Sequence, residues 1–156
     1  MTHLPEPSGK VKVLFVAADP FSEGKRSKSL LLDEEMREIT QKVLATTHRE
    51  LLTFQQIWAT RPNDLLQALN QHKPDIVHFS GHGSNAGELI LLDKSGNAHP
   101  VSETALEALF STLKGNIRVV VLNACFSEVQ AKAITKVIDC AIGMNGSGSF
   151  EDAVIK

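Results

Sequence analysis

The sequence predicts an α/β protein: a three-layer αβα sandwich around a mostly parallel sheet, with a small hairpin inserted after the third strand. Three observations predict it. Short apolar, β-branched runs alternate with segments whose apolar residues recur every three or four positions. A dense β-branched and aromatic run, KVKVLFVAA at 10–18, reads as a strand buried on both faces. A chain of 156 residues also fits one domain, large enough to bury about two-thirds of its unfolded surface.

Each element follows from local pattern. After the strand at 10–18 comes a polar loop, and Ser29 caps a helix over 30–45 with Leu32, Met36, Ile39 and Val43 on one face. Residues 50–57 form a second, weaker strand; Pro62 and Asn63 punctuate before a short helix over 64–70. Pro74 ends that connection, and 75–80 is a third strand carrying Ile76, Val77 and Phe79. Beyond the glycine-rich loop 81–87, segments 88–92 and 98–101 flank the turn Asp93-Lys94-Ser95-Gly96-Asn97, a hairpin signal. Ser102 caps a helix reaching Leu113, with Leu106, Leu109 and Leu113 on one side. IRVVVLN at 117–123 is the clearest strand in the chain. Ser127-Glu128-Val129-Gln130 fits a capping box for a helix to about residue 138, and 140–144 is a fifth parallel strand.

Composition narrows the function classes. Sixteen basic against 18 acidic residues give a net charge of −2, which lacks the concentrated basic face that phosphate neutralisation needs. No nucleic-acid partner is therefore expected. Two cysteines do not make a disulfide framework and suit a reducing compartment. Residues 1–9 hold two prolines and no apolar stretch, so they read as a flexible segment, neither a signal peptide nor a transit sequence. No apolar run approaches the ~20 residues that span a bilayer. The expectation is a cytoplasmic protein with no membrane partner.

In parallel sheets, sites form outside the carboxyl ends of the strands. The strands at 75–80 and 117–123 lead into His82 and Cys125. A thiol attacks well only as thiolate; a helix N-terminus behind Cys125 favours that charge, and a nearby imidazole can hold the proton. His82 lies between two glycines, which let the backbone turn and approach a substrate closely. The backbone N–H of Gly83, with that of Cys125, can then face a developing oxyanion. Against this, cysteine is commonly a packed core residue, and His82 alone carries little weight. Their shared position at one sheet edge is what joins them.

At these residues the chain resembles a known family. His78-Phe79-Ser80-Gly81-His82-Gly83 with Val121-Leu122-Asn123-Ala124-Cys125-Phe126-Ser127 is similar to the CHAT domain, a caspase-like cysteine peptidase domain. Phe15-Val16-Ala17-Ala18-Asp19-Pro20 resembles that family's first strand and loop, Leu32-Asp33-Glu34-Glu35 its first helix, and Ile142-Gly143-Met144 its fifth strand. The resemblance implies a caspase-like domain over 10–147, with 148–156 as a C-terminal remnant. It implies that His82 and Cys125 are catalytic and hydrolyse peptide bonds of a protein substrate through an acyl-enzyme, without a cofactor. The 43 positions between them compare with the ~50 of caspase-type peptidases. Similar domains are usually joined to repeat or sensor modules, and some bacterial members act in defence or cell death. The resemblance therefore also implies a regulatory or sensor protein partner. The chain departs from the pattern where Met144-Asn145-Gly146-Ser147 runs directly into Gly148-Ser149-Phe150. The family has an acidic residue and a further helix there, so a segment and the last strand are expected to be missing. That departure favours the alternative, a catalytically inactive docking module.

Other residues receive plainer readings. His78, His82, His99 and Cys125 lack the close paired spacing of zinc ligands, so no metal is expected. His78 reads as a hydrogen-bonded core histidine and Cys140 as a packed thiol. Asp19 reads as a loop or cap residue, and Lys25, Arg26 and Lys28 most simply as a solvated loop, with an acidic partner as the other reading. Phe54 and Trp58 sit on a peripheral strand, as core or as a partner surface. The glycine-rich loop matches neither a dinucleotide fingerprint nor a P-loop, and no nucleophile elbow is present.

Overall fold

In the computed structural model, which describes residues 9–20, 32–113, 115–146 and 153–155, the first apolar run forms β1 (Val11–Ala18). Leu14 through Ala18 are all buried because β1 has a hydrogen-bonded neighbour on each side and packing on both faces. There follow α1 (Leu32–Leu44), a short 3-10 turn at Arg49–Leu51, β2 (Leu52–Ile57), α2 (Pro62–His72) and β3 (Ile76–Gly83). The hairpin is β4 (Leu89–Leu92) with β5 (Ala98–Val101), and α3 (Glu103–Leu113), β6 (Val119–Asn123), α4 (Glu128–Ile134), β7 (Cys140–Met144) and β8 (Ala153–Ile155) complete the order.

The main sheet runs β2-β1-β3-β6-β7-β8, parallel except for the last pair, with β4 joined antiparallel to the end of β3. Alternation along β1 divides the core. Leu14, Val16 and Ala18 pack with Leu65, Ala68 and Leu69 of α2, Leu106 and Phe110 of α3 and Ile134 of α4. Phe15 and Ala17 face the other way, onto Leu32 and Met36 of α1. The three-layer αβα sandwich is thus present, with α1 alone on one face among the described residues.

Several loops are tied to this frame. Thr60, fully buried, donates its N–H and its hydroxyl to Ala17 O and accepts Leu92 N–H at 2.9 Å, which fixes the β2–α2 connection and the hairpin against the end of β1. Ser102 accepts the Ala105 N–H at 3.2 Å, the expected cap of α3.

Four local expectations are corrected. The third strand continues through the glycine segment to Gly83, because His82 and Gly83 pair with Ile90 and Leu89 of the hairpin. The capping box before α4 does not form. Ser127 Oγ instead donates to Leu122 O at 3.0 Å and accepts Met144 N–H at 2.8 Å, tying β6 to β7, while Gln130 Nε2 donates to Gly87 O. Helix α4 ends at Ile134, short of 138. A strand does follow residue 147: β8 pairs antiparallel with β7 through Ile142↔Ile155, Gly143↔Val154 and Met144↔Ala153. Three residues are too few to show a periodicity. The Ser29 cap and the Lys25, Arg26 and Lys28 cluster lie outside the described residues, as do residues 1–8.

Candidate active site

The parallel register places the candidate residues in transverse rows. Phe15, His78 and Val121 are aligned across β1, β3 and β6, and Ala17, Ser80 and Asn123 form the next row toward the carboxyl ends. Two residues further along each chain come Asp19, His82 and Cys125. Side chains two apart on a strand share a face, so His82 keeps the face on which Ser80 meets α1.

His82 is the next-to-last residue of β3 and not in a free loop. Its Nε2 lies 2.7 Å from Asp19 Oδ1, with side-chain exposures of 36% and 30%, so the pair stands open at the sheet rim. The reading of Asp19 as a loop or cap residue is overturned: it faces the histidine. A signal was present, since Asp19 keeps the odd-numbered phase of Phe15 and Ala17, but only the register reveals its partner.

Cys125 is half-buried and a free thiol, as is Cys140 on β7. The turn that carries it is tightly drawn. A Cβ at Gly83 would lie 1.8 Å from Cys125 O, so only glycine lets the end of β3 touch the Cys125 backbone. Phe126 has φ +54°, a left-handed conformation costing about 1–3 kcal/mol in a residue with a side chain. Its N–H is held by Gly146 O at 2.8 Å, which leaves that amide engaged and anchors the turn to the end of β7. The structure thus brings His82, Gly83 and Cys125 to adjoining strand ends. Cys125 stands three residues before α4, which begins at Glu128 with Ser127 at its N-cap, the start that the sequence predicts.

One row inward is a second cluster that sequence reasoning missed. Glu35 of α1 accepts hydrogen bonds from Ser80 Oγ and, at 2.9 Å, from Asn123 Nδ2, and lies 3.2 Å from His78 Nε2. Burial pushes the Glu35 carboxyl up, but the hydrogen bonds from His78, Ser80 and Asn123 outweigh it and hold the group below its ordinary range. His78 is thus a hydrogen-bonded histidine as expected, and it also stacks on Phe15 with ring centroids 5.4 Å apart. His99 lies elsewhere, on β5 in a cleft with Arg61 and Asp93. Trp58 is 44% exposed and touches Phe15, so it is partly surface and partly core.

The sequence matches the CHAT domain over residues 4–141, most of the chain. The chain belongs to the CHAT family. Relatives of this CHAT domain include a Roc-COR-CHAT protease from an unknown prokaryotic organism, 26% identical over 143 residues, and a "probable protease" from Gillisia limnaea, 25% identical over 133. These matches cover 82% and 84% of this chain but only 12% and 23% of the relatives, so the CHAT domain corresponds to a small part of each. Both relatives carry protease names, and the sheet order and helix layers of this chain agree with a caspase-like three-layer sandwich. No helix among the described residues is long and apolar enough to cross a membrane.

Proposed function

We propose that this CHAT domain is a cysteine endopeptidase that cleaves a protein substrate with Cys125 as nucleophile and His82 as general acid and base. The observation that carries the reading is the meeting of the β3 and β6 ends, where the Gly83 backbone abuts Cys125 and His82 precedes it by one residue. Neighbouring strands lie about 4.8 Å apart, which keeps groups at equivalent positions within reach of one substrate carbonyl.

In this reading the Cys125 sulfur, its proton passed to His82, bonds to the scissile carbonyl carbon. The Gly83 and Cys125 N–H groups receive the oxyanion. His82 then protonates the amine as the carbon–nitrogen bond breaks, leaving a thioester and releasing the first product. Water, giving its proton to His82, attacks the thioester, and the second product leaves as the thiol is restored. No step needs a cofactor.

The domain acts in the cytoplasm under a regulatory or sensor partner, within a bacterial defence or cell-death response. Its resemblance to modular CHAT proteins, its small share of the longer relatives and its two free thiols support this setting. The test is cleavage of a peptide library by the chain and by Cys125→Ala, together with iodoacetamide labelling of Cys125 and Cys140. Turnover lost in the variant, with Cys125 labelled faster than Cys140 below pH ~7.5, is the expected result. Equal, slow labelling of both thiols, unchanged by His82→Ala, would point instead to a docking module.

A further inference from the structure

We infer that Asp19 is the residue that positions His82 for its work on Cys125, fixing both the ring's orientation and which nitrogen faces the thiol. The inference rests on the Cys–His reading above and adds a third participant from a different strand. Asp19 follows β1 directly, two residues beyond Ala17, and Ala17 pairs with Ser80, two residues before His82. The 2.7 Å contact is therefore set by the register of two buried strands, not by a loop that happens to fold over.

The chemistry follows from the atoms in contact. An ionised carboxylate only accepts hydrogen bonds, so Nε2 must carry the proton and donate it to Asp19 Oδ1. In a neutral ring that leaves Nδ1 unprotonated, the form able to take a proton from a thiol. The same contact restrains rotation of the ring, whose 36% side-chain exposure would otherwise allow several rotamers. When Nδ1 gains the thiol proton, the carboxylate stands beside the imidazolium and offsets its charge, with no transfer to Asp19 itself. A hydrogen bond between partly exposed groups contributes little to folding, so the contact's main effect falls on the ring.

The test uses the whole chain with Asp19→Ala, Asp19→Asn and Asp19→Glu, each checked for fold by circular dichroism. The readouts are the nitrogen-15 spectrum of His82, which reports the tautomer, the iodoacetamide rate at Cys125, and kcat and KM on a cleaved peptide. Wild type is expected to hold its proton on Nε2. Asp19→Ala is expected to show mixed tautomers and to lose about 100-fold in kcat with KM within about twofold. Asp19→Asn, which keeps the size but can donate to Nε2 and reverse the tautomer, is expected to lose on the order of 100- to 10,000-fold. Asp19→Glu is expected to recover part of the rate. An unchanged tautomer and labelling rate in Asp19→Ala, or in Asp19→Asn if the alanine variant does not fold, overturns the inference. Loss of turnover in His82→Ala and Cys125→Ala beside full turnover in Asp19→Ala would remove Asp19 alone. Full turnover in all three would remove the Cys–His reading itself.

Discussion

Two polar rows cross the same face of the sheet one register step apart, and they are built differently. In the inner row a single carboxylate, Glu35, gathers Ser80, Asn123 and His78, so one helix is tied to two strands. At the rim, His82 is held through one nitrogen by Asp19, and the half-buried thiol of Cys125 sits on a turn braced by glycine contact and backbone hydrogen bonds. The inner row uses its polar groups to satisfy one another, which buried polar atoms require. The rim leaves reactive atoms accessible and relies on backbone for its geometry. Chemistry and anchorage are thus separated by one pair of residues along each strand.

The largest effect should come where the rim's backbone bracing is removed. In Gly83→Ala the new carbon would sit 1.8 Å from Cys125 O, and backbone on both sides leaves neither partner able to swing away. A loss of about 3 kcal/mol or more in urea unfolding is expected, at or beyond the usual range for overpacking. Gly115→Ala, with nothing within 4 Å of its added carbon, serves as the control and should change stability by less than about 1 kcal/mol. A folded Gly83→Ala protein of native stability would mean that the strand ends do not meet as described.

The inner row comes next. Glu35→Ala leaves Ser80, Asn123 and His78 without their shared acceptor, and partly buried groups deprived of a partner cost about 1–3 kcal/mol. Denaturant midpoints measure this. Ser127→Ala is a parallel case, since it removes one hydrogen-bond partner from Leu122 O and from Met144 N–H together. Should Glu35→Ala prove neutral, the contrast between the rows would disappear.

What the sequence disclosed, and what it withheld, divides along the range of the forces involved. The buried runs of β1 and β6 and the spaced apolar positions of α1 were legible because burial acts through local periodicity. His82 and Cys125 were found from their place after apolar strands, a local signal helped by family resemblance. Asp19 and Glu35 were not found, because each depends on a partner 63 and 45 positions away and on a register that no short window contains. Ser127 misled for the opposite reason. Its local pattern fits a cap, but a buried hydroxyl between two strands does better bonding Leu122 and Met144. The reach of β3 to Gly83 was hidden likewise, since the pairing with β4 is made by backbone atoms that carry no sequence pattern.

Acid titration sharpens the comparison further. Glu35 has its folded value lowered, burial being outweighed by hydrogen bonds from His78, Ser80 and Asn123. Its contribution to stability is therefore complete above its ordinary value of 4.5 and is lost as pH falls through the lowered one. Unfolding followed from neutral pH down to about pH 3 should show wild type losing stability more steeply than Glu35→Gln below that ordinary value. Parallel curves would mean that the carboxylate's charge has no part in anchoring α1.

The smallest expected change is the stability of Asp19→Ala. Its contact with His82 is short, but with side chains 30% and 36% exposed it is screened by water, and such pairs contribute at most about 1 kcal/mol. Urea midpoints measure it directly. A loss comparable with Glu35→Ala would make the rim a structural anchor like the inner row. A near-neutral result beside a large fall in Cys125 reactivity would show that this carboxylate acts on the ring and not on the fold.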